Sequence, residues 1–166
     1  QHYREAYEMF ISCGILFNHE SPFRGLEFVT RKITYNIARI LKNKKDKIVL
    51  GNIKSKRDWG FAGDYVKAMW LMLQQDNPKD YVIATGESHS VEDFLEKAFQ
   101  YVGIDNWREY VSIDEKFMRP QDIDNLIGDS SKAKKELGWT SSVSYEELVK
   151  MMIDEDKRML EVDPHY

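Results

Sequence analysis

Cysteine is almost missing from these 166 residues. Cys13 stands alone, which excludes an internal disulfide and a cysteine-cluster metal site and suits a reducing compartment. No apolar run approaches the roughly 20 residues that a membrane-spanning helix needs, and no charged-then-apolar leader opens the chain. Positive charge is not in excess either: a net charge of -4 and a pI near 5.6 argue against a general nucleic-acid binder. His2, His19, His89 and His165 show neither i, i+4 pairing nor carboxylate-triad spacing, so no metal site is expected. Internal repeats and low-complexity linkers are absent. What remains is 42% hydrophobic and 13% aromatic, enough for one sizeable core. A globular, cytoplasmic unit is expected.

Short apolar runs alternate with amphipathic stretches. "HYREAYEMFISC" has helical spacing, with Gly14 as its expected C-cap. Strands are predicted at Ile15 to Phe17, at Lys47 to Leu50, in "DYVIATG" and in "EYVSI". Helices are predicted near Phe28 to Leu41, over Ala62 to Gln75, after a Ser90/Asp93 capping box and over Ser130 to Leu137. A last helix should start at the Ser144/Glu147 box and turn Leu148, Met151, Met152 and Met159 to the core. Such alternation implies an α/β fold.

Four segments hold polar residues that folding alone does not require. "NHESPFRG" follows a buried strand, where open α/β sheets bind ligands; it is either a phosphate or carboxamide site or a loop satisfying its own backbone. "FVTRK" sets Arg31 and Lys32 in the first turn of a helix. Cations oppose the macrodipole there unless an anion binds, the alternative being a solvated face. Arg57-Asp58-Trp59 puts a guanidinium beside a helix too apolar to face water, a costly placement unless the cation has a partner. "FMRPQDIDN" offers Arg119 and Asp122; an arginine fork suits a diphosphate and an aspartate suits ribose hydroxyls. "KNKKDK", Lys42 to Lys47, is expected to be a solvated helix end.

"CGILFNHESPFRG", "FVTRK", "LGNIKSKRDWGFAGDYVKAMWLMLQQ", "DYVIATGESHSV" and "FMRPQDIDNLIGDSSKAKKELGW" together resemble the GDP-mannose 4,6-dehydratase family of extended short-chain dehydrogenases/reductases. "RDW" and "SKAKKELGW" mark the wider nucleotide-sugar group, and "FNHESP" with "FVTRK" narrows it. Phe23, Phe61 and Gly63 depart from the family's arginine, histidine and lysine, which puts neighbouring-subunit and loop contacts in question more than the substrate grip. The resemblance implies that residues 1–166 are the C-terminal, substrate-binding portion of an extended Rossmann-type enzyme, with its smaller substrate-binding domain. Neither a Gly-rich dinucleotide turn nor a Tyr-x-x-x-Lys pair occurs here, so this stretch alone is expected to be inactive.

By motif position, His19 and Arg24 would contact NADP, and Asn18, Val29, Lys32, Arg57, Arg119 and Asp122 would surround GDP-mannose. The intact enzyme would convert GDP-D-mannose to GDP-4-dehydro-6-deoxy-D-mannose and water, as a homo-oligomeric dimer or tetramer. Another nucleotide-sugar dehydratase or epimerase, or a non-catalytic nucleotide-sugar-binding module, stays open.

Overall fold

A computed structural model describes residues 1–43, 47–118, 121 and 123–163. Along the chain run α1 (His2–Tyr7), β1 (Gly14–Leu16), β2 (Asn18–Glu20), α2 (Val29–Leu41), β3 (Ile48–Leu50), β4 (Lys56–Arg57), β5 (Trp59–Phe61) and α3 (Ala62–Leu73). Then follow β6 (Tyr81–Ile83), β7 (His89–Ser90), α4 (Val91–Tyr101), β8 (Val111–Ile113), β9 (Asn125–Leu126), α5 (Ser131–Leu137) and α6 (Tyr145–Val162). Pairing is mostly parallel: β1 with β6, β2 with β5, β3 with β8, and β4 with β9; β7 joins the other edge of β4 antiparallel. Parallel partners need crossovers, and the helices supply them. The fold is α/β, as the alternating pattern predicts.

The larger core lies where α2, α4 and α6 meet. Ile33 and Ile37 of α2, Phe94 and Phe99 of α4, and Met152 and Ile153 of α6 are sealed from solvent. Ile48 and Leu50 of β3 and Trp59 of β5 complete it. A smaller core gathers Tyr65, Ala68 and Met72 of α3, Tyr81 and Ile83 of β6, Ala133 and Leu137 of α5, and Trp139. Its indole donates to the Asp64 carbonyl at 2.8 Å, so the buried N–H is satisfied. The α6 start forms its full capping box, Ser144 accepting from the Glu147 N–H and Glu147 from the Ser144 N–H. At α4, Ser90 accepts from the Asp93 N–H at 3.0 Å.

Several expectations are corrected. The first helix stops at Tyr7, where Glu8 takes a left-handed φ of 52°, and not at Gly14. Gly14 instead opens β1, because the Cys13 carbonyl is already committed to the Tyr81 N–H at 2.9 Å. "NHESPFRG" is not all loop: its first three residues form β2, drawn into register with Trp59–Phe61. Met151 and Met159 are only half-buried, since the inward stripe of α6 runs through Leu148, Val149, Met152, Ile153, Asp156 and Leu160. Arg31 is buried, and the anion it faces is a carboxylate of the chain itself, not a ligand at the helix start. Its Nε donates to Asp156 Oδ1 at 2.8 Å, and Thr34 donates to Oδ2 at 2.7 Å, pinning α2 to α6. Within "KNKKDK", residues 44–46 lie outside the described residues, as do Arg119 and Asp122.

Candidate functional site

The short strand β2 sorts its side chains by alternation. Asn18 and Glu20 turn into a cleft of about 330 Å³ between the first turn of α2 and β4, while His19 packs at a tilt of 33° against Tyr65 with ring centroids 5.3 Å apart. The His19 Nδ1 donates to the Phe17 carbonyl at 3.0 Å, which fixes the ring. Val29 and Lys32 reach the cleft from α2, and Arg57 from β4. Leu50, Trp59 and Val91 give it an apolar floor continuous with the larger core. Asn18, Val29, Lys32 and Arg57, which lie up to 39 positions apart, therefore share one cavity.

Arg57 is only half-buried and α3 does turn Val66, Trp70 and Leu73 to water, so the expected burial beside that helix is not found. The Arg57 Nη1 donates to the carbonyls of Lys56 at 2.7 Å and Ile123 at 2.6 Å, so the charge is held at the rim by backbone dipoles. Asp58 is the sealed member of the triplet. One carboxylate oxygen accepts from the Thr85 N–H at 2.9 Å and hydroxyl at 2.7 Å, the other from the N–H groups of Gly86 at 2.9 Å and Gly128 at 3.2 Å. Those four bonds tie the turn after β6 and the segment before α5 to the end of β4. Sequence reasoning missed this role, which only contacts 27 and 70 positions away reveal.

At the mouth, a single 3-10 turn, Glu115–Phe117, brings Phe117 over the cleft, and the Lys32 ammonium sits 4.6 Å from its ring centroid. Gly51 permits this approach. A Cβ there would lie 2.3 Å from the Phe117 carbonyl oxygen. Phe117, Gly51, Asn52 and Ser55 line the cleft without having been singled out in the sequence, because nothing local distinguishes them from ordinary turn residues.

Arg24 folds back toward Glu20, Nε to Oε2 at 3.2 Å, and its guanidinium lies 3.4 Å from the Phe28 ring centroid. It is not brought to His19, which faces Tyr65. Burial holds the Glu20 carboxyl above its ordinary pKa, opposed by the Thr30 hydroxyl and the Arg24 charge. Donor-rich Asn18, Lys32 and Arg57 above an apolar floor suit a ligand with an anionic middle and a flat or apolar end. A second hollow of about 380 Å³ is bounded by Thr85, Lys134, Ser141, Ser142 and Ser144. Its hydroxyls are largely spent on Asp58, Asp64 and Glu147, so it offers less to a ligand. Among the described residues no group of three or more His, Cys, Asp or Glu could hold a metal ion, and no helix is long and apolar enough to cross a membrane.

A family model described as GDP-mannose 4,6 dehydratase matches residues 1–152. GDP-mannose 4,6 dehydratase 2 of Arabidopsis thaliana is 60% identical over 154 residues, covering 93% of this chain and 41% of its own. The Homo sapiens GDP-mannose 4,6 dehydratase is 45% identical over 179 residues, covering 98% and 48%. The chain thus spans about half the length of the curated relatives it matches. Among solved structures, RMD from Pseudomonas aeruginosa complexed with NADPH superposes with a TM-score of 0.85 at 16% identity, over 95% of this chain and 52% of that one. dTDP-glucose 4,6-dehydratase from Bacillus anthracis in complex with NAD gives 0.81 at 16% identity, over 96% and 48%. Both likenesses are of fold.

Proposed function

The chain belongs to the GDP-mannose 4,6 dehydratase family, and we propose that it forms the sugar-nucleotide side of an NADP-dependent enzyme converting GDP-D-mannose to GDP-4-dehydro-6-deoxy-D-mannose and water. The observation that carries this is the convergence of Asn18, Val29, Lys32 and Arg57 on one cleft. Lys32 and Arg57 offset the two charges of a diphosphate, Asn18 offers an amide that both donates and accepts, and Val29 with Trp59 packs an uncharged part of the ligand. Arg119 and Asp122 complete the grip on the nucleotide in this proposal.

For the cofactor, the donor chemistry fits: a fixed imidazole at His19 and an arginine at Arg24 suit a carboxamide and phosphates. NADP, when bound, supplies the hydride acceptor and donor that the reaction needs. The chain's own part is to bind and orient. Without a Gly-rich turn and a Tyr-x-x-x-Lys pair, these 166 residues alone are proposed not to turn over. We place the enzyme in the cytoplasm, as a dimer or tetramer.

The test is calorimetry on a protein of full family length carrying this chain. Arg57→Ala should weaken GDP-mannose binding by about 1.5 to 3 kcal/mol, the scale of a charged hydrogen bond. UDP- and dTDP-sugars should bind more weakly than GDP-mannose to the unaltered protein. Unchanged affinity in a folded Arg57→Ala variant, or a preference for a UDP-sugar, would remove this reading.

A further inference from the structure

A carboxylate sealed in a protein interior is expensive, and an apolar residue of the same volume commonly serves stability as well or better. Glu20 is such a group. It is 2% exposed, at the end of β2, and lines the cleft beside Asn18 and Arg57. One of its oxygens, Oε2, meets two partners. The Thr30 hydroxyl donates to it at 2.6 Å, and Arg24 Nε stands 3.2 Å away. Thr30 is itself 1% exposed and sits in the first turn of α2, between Val29 and Arg31 and two positions before Lys32. Arg24 Nε is buried and has no hydrogen-bond partner among the described residues, so the carboxylate is what offsets that end of the guanidinium.

The backbone repeats the link. Arg31 Nη1 donates to the Arg24 carbonyl at 3.0 Å and also to the Pro22 carbonyl, while its Nε holds Asp156 of α6. The loop carrying Arg24 is therefore fastened to the start of α2 through Arg31, through Glu20 and through the Phe28 ring. Two side chains reach the guanidinium and also line the cleft: Glu20, through its carboxylate, and Phe28 at the start of α2, whose ring centroid lies 3.4 Å away; of the two only Glu20 carries charge and is hydrogen-bonded to Thr30.

We propose that Glu20 is a positioning residue coupling the two ligand sites: it joins the first turn of α2, which grips the sugar nucleotide, to Arg24, assigned to the cofactor. This rests on the functional reading above. A ligand that seats Lys32 and Val29 fixes the α2 turn, Thr30 then fixes the carboxylate, and Arg24 is held in one orientation. Each ligand lowers the ordering cost of the other, which is positive coupling between sites.

The experiment measures dissociation constants of NADP and GDP-mannose, each alone and with the other saturating, on a protein of full family length carrying this chain. In the unaltered protein, each ligand should tighten the other about fivefold or more. Glu20→Gln keeps the shape and an acceptor for Thr30 but removes the charge; NADP binding should weaken about tenfold and the coupling fall to near one. Thr30→Val cuts the link to α2 and leaves the ion pair, so NADP binding alone should hold while the coupling falls. Where thermal melts show Glu20→Gln unfolded, Thr30→Val decides. Coupling that is absent in the unaltered protein, or unchanged in both variants, overturns the role of Glu20 and leaves the functional reading standing. No binding of either ligand to the folded, unaltered protein overturns both.

Discussion

The lobe built from α2, α4 and α6 closes on itself, whereas the lobe of α3, β1 and β6 leaves much of its apolar surface in water. In the first, Ile33, Phe94 and Met152 have no exposure at all. In the second, α3 buries Tyr65, Ala68 and Met72 but turns out Val66 at 62%, Trp70 at 60% and Leu73 at 59%, and Ile15 of β1 is 58% exposed. Parallel strands are normally covered on both faces and belong to larger sheets; among the described residues β1 and β6 pair only with each other, as β2 with β5 and β3 with β8 also do, so the lobes differ in the cover over their helices and not in sheet size. The cleft belongs to the closed lobe. Its floor is that lobe's core, so the positions of Val29, Lys32 and Arg57 are set by packing that is already complete.

The contrast is broken most severely by opening the closed lobe. Phe94 meets Trp59 edge-on at 5.5 Å between centroids and Tyr145 at 6.1 Å, with no solvent contact. Phe94→Ala should cost about 3 to 5 kcal/mol, because so tightly enclosed a site cannot collapse around the cavity. Met72→Ala, in the open lobe, should cost about 2 kcal/mol, since its neighbours can move into the space. Denaturant midpoints measure both. Equal losses would show that the two lobes are equally well packed and that the exposed faces do not loosen the smaller core.

How much could be read beforehand differs between the lobes for the same reason. α2 was legible from its periodicity, and α4 and α6 from their caps as well, because the signals are local: Ser144 with Glu147, Ser90 with Asp93. β2 was hidden inside a polar run, since a three-residue strand of Asn, His and Glu owes its existence to a partner 41 positions on. Arg31 looked like a surface cation and is buried because Asp156, 125 positions away, supplies the counter-charge. Likewise Asp58 and Glu20 carry no local mark of their roles. The cleft residues Asn18, Val29, Lys32 and Arg57 came from motif resemblance; charge and spacing alone could not tell them from solvated side chains.

A smaller effect is expected at the α6 cap, which starts the helix that seals the closed lobe. Ser144→Ala removes the acceptor for the Glu147 N–H and should cost about 1 kcal/mol. The hydrogen bonds from Ser144 also hold the Glu147 carboxyl below its ordinary pKa. A depressed folded-state pKa means a contribution present above the unfolded-state value and lost as pH falls through the folded one. Stability of the unaltered protein minus that of Glu147→Gln should therefore be positive at neutral pH and shrink in acid, below the ordinary glutamate range. A difference that stays constant with pH would mean that the carboxylate charge takes no part in the cap.

The smallest change in stability is expected at Trp70, and it sharpens the comparison best. Tryptophan and serine have similar helix propensities, so Trp70→Ser neither breaks α3 nor opens a core, and the folding free energy should move by less than about 0.5 kcal/mol. The exposed indole instead adds to an apolar face with Val66 and Leu73, and such faces drive association in water. Sedimentation velocity at several concentrations should show less self-association for the variant, with the melting temperature nearly unchanged. A melting temperature lowered by many degrees would place Trp70 in a packed environment and make the second lobe closed like the first. Unaltered association with unaltered stability would instead show that α3's outer face is inert, and that exposure alone does not make this lobe the adhesive half of the molecule.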